Sequence, residues 1–155
     1  MMNCEVRRIS MCEILFRGKR TDNDEGEFVY GIPVEGEPLL GMGKRTYIIT
    51  KPGVQWVDGV YMTYDECVEV DPETVGQFTG LTDHGGVKIF EGDIIEYTDG
   101  CNDWLGAVKY DGDNAQFVVH FIGGDVESFD NLYSGECEVI GNIYDNPELF
   151  DEGET

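Results

Sequence analysis

Apolar residues along the chain come in short runs, broken by polar stretches rich in Gly, Asp and Asn. Ile14, Leu15 and Phe16 form the first run, and a polar turn over 21–27 follows. Phe28-Val29-Tyr30-Gly31-Ile32-Pro33-Val34, rich in β-branched and aromatic residues, returns as its partner strand across a long acidic loop. A glycine-rich loop at 36–43 leads into a strand at 46–50, and 56–62 reads as a further hairpin or a loop. Val68-Glu69-Val70 alternates like a half-buried strand. It runs into Asp71-Pro72-Glu73, where an Asp N-cap and a Pro at the first helical position start a helix. Gly76 confines that helix to one turn, with Phe78 and Leu81 expected to anchor it in the core.

The second half is more regular. Residues 81–90 read as strand, Gly85-Gly86 turn, strand, and Glu91-Gly92-Asp93 makes a tight turn into Ile94-Ile95-Glu96-Tyr97. Strands at 105–110 and 116–121 follow, joined by a turn at 111–114, and 138–144 reads as a closing strand. This rhythm is that of a small barrel in which a Gly-Asp turn delivers the chain into a curved strand. Asn146 is expected to cap a last short helix beginning at Pro147, with Leu149 and Phe150 folding back onto the barrel. The expected fold is therefore mainly β: an SH3-type small β-barrel with hairpin additions and one or two short helices. Residues 1–12 read as an extension, 13–150 as the β domain with its barrel core from about 67 to 150, and 151–155 as an acidic tail.

Composition supports a packed core. The 155 residues are 41% hydrophobic and 12% aromatic, enough to fold without metal or disulfide. Cys4, Cys12, Cys67, Cys101 and Cys137 are scattered, odd in number and never in a C-x-x-C pair, and the first ten residues lack an apolar core of signal length. These features predict a reducing, cytoplasmic location, and no apolar run reaches the length of a membrane span.

Charge changes the picture further. The net charge is −22; residues 1–20 hold five bases and two acids, whereas from Ile89 onward seventeen carboxylates face one base, Lys109. Such a field repels phosphates and argues against direct nucleic-acid binding outside the first twenty residues. Its ordinary use is to keep a β protein soluble and to guard sheet edges.

No constellation of catalytic residues emerges. His84, in the Gly-Gly turn, reads as a solvated residue and His120 as one that lines a barrel face, not as partners of a cysteine nucleophile. No Cys/His cluster has zinc spacing. Asp22-Asn23-Asp24-Glu25-Gly26 and Asp111-Gly112-Asp113-Asn114 begin like calcium loops. At the twelfth position, where a bidentate glutamate belongs, they have Pro33 and Ile122. Nothing in the sequence places paired carboxylates in a pocket. Gly41-Met42-Gly43-Lys44-Arg45-Thr46 lacks P-loop spacing and leads into a strand, so its bases are expected to meet neighbouring carboxylates. Arg17, Lys19 and Arg20 are expected to neutralise nearby acids. Tyr47, Trp56, Tyr61 and Tyr64 are candidates for an aromatic surface, with packing as their commoner fate. No catalytic residue, cofactor or metal is assigned.

Several segments resemble the YopX family, known mainly from phages and prophages. They are Ile14-Leu15-Phe16-Arg17-Gly18-Lys19, Tyr47-Ile48-Ile49 and Val70-Asp71-Pro72-Glu73-Thr74-Val75-Gly76-Gln77-Phe78-Thr79-Gly80-Leu81. Ile89-Phe90-Glu91-Gly92-Asp93-Ile94-Ile95 and Glu138-Val139-Ile140-Gly141-Asn142-Ile143-Tyr144-Asp145-Asn146-Pro147-Glu148-Leu149 complete the set. The resemblance implies an SH3-like barrel and supplies no catalytic residues. Its motif positions are Pro72, Gly76, Phe78, Gly80, Leu81, Phe90, Gly92, Asp93, Gly141, Asn142 and Pro147, which are turn and core types. The expected function is that of a non-enzymatic phage or prophage accessory protein acting on a protein partner, a second copy of itself included. The alternative is a nucleic-acid-directed protein, either an acidic DNA mimic or a weak binder through its basic N-terminal stretch.

Overall fold

The alternating apolar positions become two antiparallel sheets in a computed structural model. It describes residues 13–23, 25–38, 41–132 and 137–151, with backbone alone at 52, 54–57, 60–65 and 151. The first sheet contains β1 (Phe16–Lys19), β2 (Phe28–Gly36), β3 (Arg45–Val57), β4 (Val60–Val70), β5 (Gly76–Thr82) and β6 (Lys88–Phe90), in the order β4-β3-β2-β1-β5-β6. The second contains β7 (Asp93–Thr98), β8 (Asp103–Asp111), β9 (Gln116–Phe121), β10 (Val126–Ser128) and β11 (Cys137–Asn142), in the order β10-β9-β8-β7-β11. Among the described residues there is one α-helix, α1 (Pro147–Asp151), which packs against β8.

The expected elements are present, with informative differences. Residues 56–62 form a hairpin, not a loop: Asp58 and Gly59 have φ of 48° and 85°, the left-handed pair that matches strand twist in a two-residue turn. β3 pairs with β2 only from Arg45 to Ile49, while its pairing with β4 continues to Val57↔Val60. Beyond Lys51 the hairpin is a two-stranded arm. The helix at Pro72 is a single 3-10 turn, Pro72–Thr74, and the Asp71 carboxylate accepts from the Glu73 amide at 3.0 Å. β10 and the 3-10 turn Phe129–Asn131 had no counterpart in the sequence pattern.

The closed SH3-type barrel is corrected to two sheets whose ladders do not close among the described residues. The strand expected to close it, β11, pairs among the described residues with β7 alone. Other groups use positions along β11: the Cys137 carbonyl accepts from the His84 amide at 3.1 Å, and the Asp83 carboxylate accepts from the Val139 amide at 3.1 Å. The β5–β6 turn thus occupies the place a further strand would need. The main core lies between β6 and the second sheet, where Ile89, Ile95, Val108, Val119, Phe121, Leu132 and Cys137 are buried together. Ile48 and Val70 are buried within the first sheet.

Candidate functional site

The two sheets meet at the Glu91-Gly92-Asp93 turn. Glu91 donates its amide to Gln77 O of β5, Gly92 donates to Val108 O of β8, and Ile143 donates to Gly92 O, all at 2.9 Å. Gly92 sits at φ 86°, and a Cβ there would lie 3.0 Å from the Tyr144 ring, so both conformation and space select glycine. Asp93, 1% exposed, accepts from the Phe90 amide at 2.7 Å through Oδ2 and from Arg17 Nη2 at 2.5 Å through Oδ1. Burial pushes the Asp93 carboxyl above its ordinary value, against the opposing pull of the Arg17 guanidinium and the Phe90 amide. Arg17, 6% exposed, lies over the rings of Phe28 and Phe90, at 4.3 and 4.8 Å from their centres.

The motif residues gather around this junction. Gly76 is the close-approach position of β5, where a Cβ would meet Glu91 O at 2.5 Å. Phe78 packs on Phe90 with ring centres 5.5 Å apart, and Leu81 packs against the main core. Gly80 lies where the β5–β6 register shifts between Phe78 and Thr82. Asn142 Oδ1 accepts from the amides of Tyr144 and Asp145, both at 3.0 Å. Asn146 differs from expectation: its side chain turns back to accept from the Asn142 amide at 3.3 Å, while its carbonyl accepts from Leu149 as α1 begins at Pro147. A Cβ on Gly141 would lie 2.5 Å from Asn146 Oδ1. Lys19, two positions along β1 from Arg17, pairs with Asp145 and donates to Gly26 O at 2.9 Å. β1 therefore ties the first sheet to both ends of the second-sheet motif.

Other polar candidates are also engaged in turns. Asp83, buried, accepts from the amides of Gly85 and Val87 at 2.8 and 2.9 Å. Burial opposes its ionisation, but the Val139, Val87 and Gly85 amides outweigh that and hold the carboxyl below its ordinary value. His84 is exposed, as expected, yet its Nδ1 lies 3.0 Å from Cys137 O, and that carbonyl holds the imidazolium above its usual range. His120 is half-buried on β9, where burial lowers its pKa. Asp111 accepts from the amides of Asp113 and Asn114 and from Asn114 Nδ2, so this acid of the calcium-like loop holds its own turn. Among the described residues, no group of three His, Cys, Asp or Glu side chains is arranged to hold a metal ion.

Seven of the eight described bases have carboxylate partners: Arg17 with Asp93, Lys19 with Asp145, Arg20 with Asp22, Lys44 with Glu35, Arg45 with Glu69, Lys51 with Glu66 and Lys88 with Glu13. Arg7 and Arg8 lie outside the described residues, as do Cys4 and Cys12, and the side chains of Trp56, Tyr61 and Tyr64 are outside as well. Tyr47 is half-buried on β3.

The apolar side of β2 is a further surface that the sequence pattern alone does not single out. Tyr30, Ile32 and Val34 alternate on one face and are 48%, 54% and 36% exposed. In register, Ile32 faces Ile49 and Val34 faces Tyr47, which widens the row onto β3. At its inner end, Tyr30 packs on Phe90 with ring centres 5.6 Å apart and helps wall a groove of about 420 Å3 with Leu15, Val87 and Val139. Arg17 and Asp93 line the same groove. The period of two was visible in the sequence. Which face a second sheet would cover was not.

These features define a two-sheet β protein in which the motif residues build the join between sheets, beside an uncovered apolar surface. The chain belongs to the YopX protein family, whose model matches residues 42–151. It is also similar to the crystal structure of protein EF1440 from Enterococcus faecalis, at 27% sequence identity and a TM-score of 0.58. That similarity covers 90% of this chain and 99% of the other. None of the curated proteins matches the chain. No helix among the described residues is long and apolar enough to cross a membrane.

Proposed function

We propose that this is a non-enzymatic accessory protein, phage- or prophage-borne, that acts in the bacterial cytoplasm through protein–protein contacts. The exposed row of Tyr30, Ile32 and Val34 carries the reading. A contiguous apolar surface on a soluble domain is the usual mark of a protein interface, and this one continues into the groove beside Val87, itself 52% exposed. The β3–β4 arm supports the same reading, because among the described residues no third strand pairs with it beyond Lys51 and β4 is the outer strand of its sheet. Such an edge accepts an added strand, from a partner or from a second copy of the chain. The β7–β8–β9 meander, entered through Gly92-Asp93, supports an opened SH3-type arrangement as part of this proposal. The engagement of Asp83, Asp93, Asp111 and Asn142 in turns and in the join favours a binding role over catalysis.

The test substitutes Ile32→Glu in the full chain, at an exposed position where folding is expected to survive. Light scattering of the purified protein and recovery of bound partners from host cells are the readouts. The variant is expected to lose self-association or a partner that the wild type retains. Identical mass and identical partners in both proteins would overturn the reading. A second reading, an acidic mimic of a nucleic-acid backbone, is favoured by the carboxylate surplus left once seven of eight described bases are paired. It predicts competition with DNA for a host DNA-binding protein.

A further inference from the structure

On the second sheet, away from the apolar row, Tyr97 of β7 and Trp104 of β8 face each other in register. Their rings stack with centres 5.6 Å apart and planes at 26°. Tyr97 also meets Phe121 of β9 at 6.3 Å. These three rings and Leu132 line an open cleft of about 450 Å3, within the size range of small-ligand sites. Among the described residues the other lining side chains are Asp125, Glu127 and Asn131, and no base is among them. Asn131 Nδ2 donates to Glu127 Oε2 at 2.7 Å, which fixes that carboxylate beside the aromatic wall. Asp103 and Asp130, next in sequence to Trp104 and Asn131, add to the negative field.

This pairing of chemistry is selective. A neutral apolar occupant would strip water from Glu127 without replacing its hydrogen bonds, and an anion would be repelled. An organic cation satisfies both walls, because its charge meets the carboxylate and its poorly hydrated face lies on the rings. A guanidinium suits the site better than an ammonium, since it is planar, stacks on indole and bonds a carboxylate through two N–H groups. β10, the three-residue outer strand that contributes Glu127, gives an extended segment a backbone to lie along.

We propose that this cleft binds an arginine side chain carried by an extended basic segment of a partner protein. Charge complementarity supports that occupant: the chain carries a net −22, and seven of the eight described bases are already paired within it. The proposal gives the chemistry of one partner and does not require the β2 row. Ile32→Glu leaves the cleft unchanged, so the two readings can fail separately.

The test is fluorescence anisotropy with the full chain and a labelled, end-blocked peptide of alternating Arg and Ala, at about 0.15 M salt. Its comparison is the same peptide with neutral citrulline in place of arginine. The arginine peptide is expected to bind at least about tenfold more tightly, a difference of about 1.4 kcal/mol. Glu127→Gln and Trp104→Leu are each expected to weaken binding about tenfold, whereas Glu148→Gln on α1, the same change of charge, should alter it less than about twofold. Trp104→Leu keeps the net charge and so separates the ring from the overall field. Its melting temperature is recorded, and Asp125→Asn, at an exposed position, provides an independent variant if packing suffers. Equal weakening by Glu127→Gln and Glu148→Gln would overturn the site, as would equal binding of the citrulline peptide. Displacement of the peptide by spermidine at equal concentration would overturn the protein partner in favour of a small polyamine.

Discussion

Asp93 accepts hydrogen bonds from two directions, one from its own turn and one from a strand 76 residues earlier in the chain. Asp83 does the same for the β5–β6 turn and β11, and its effect can be read through pH. Its carboxyl is held below the ordinary value, so the stability it contributes is present above about pH 4 and is lost as pH falls through the depressed folded value. Asp83→Asn keeps an acceptor for Gly85 and Val87 but turns an amide donor toward the Val139 N–H. It should cost about 1–3 kcal/mol at neutral pH. Melting curves between about pH 6 and pH 3 should show the gap between wild type and variant narrowing in acid. A gap that stays constant with pH would assign the effect to shape alone.

At the scale of elements, glycine contacts set which strands can approach. Gly76→Ala places a methyl group 2.5 Å from Glu91 O, a backbone atom that cannot swing aside. A loss of roughly 2–4 kcal/mol is expected, measured by urea unfolding. Gly112→Ala, with open space around its Cβ position, is the control and should change stability by less than about 0.5 kcal/mol. The same elements show what the sequence could reveal. The Gly-Asp turn, the Asp71-Pro72 start and the Asp111 turn were legible because residues close in sequence decide them. The arm beyond Lys51 was less so, since its strand length depends on cross-strand pairing from Lys51↔Glu66 to Val57↔Val60. Barrel closure was misread because β11 looks like any closing strand until Asp83 and His84, more than fifty residues upstream, are found bonded to it. The Arg17–Asp93 pair was illegible for a related reason: both residues were conspicuous, but nothing local joins them. The β2 row could be read as alternation and only became a candidate surface once the structure left Ile32 uncovered.

At the scale of the whole molecule, β1 and the Gly92-Asp93 turn join the two sheets, which are therefore expected to unfold as one unit and to leave surfaces elsewhere for partners. Breaking a buried pair from one side strands a charge and costs about 3–5 kcal/mol, whereas replacing both partners with apolar groups of similar volume can be nearly neutral. The most direct test is a double-mutant cycle by equilibrium urea unfolding with wild type, Asp93→Leu, Arg17→Met and the double variant. A single transition is expected for the wild type, with about 3–5 kcal/mol lost in each single variant. The double variant should lose less than either single one, keeping a residual cost of about 1–3 kcal/mol because the Phe90 amide has lost its acceptor. Two separate wild-type transitions, or single variants as stable as the wild type, would contradict this expectation.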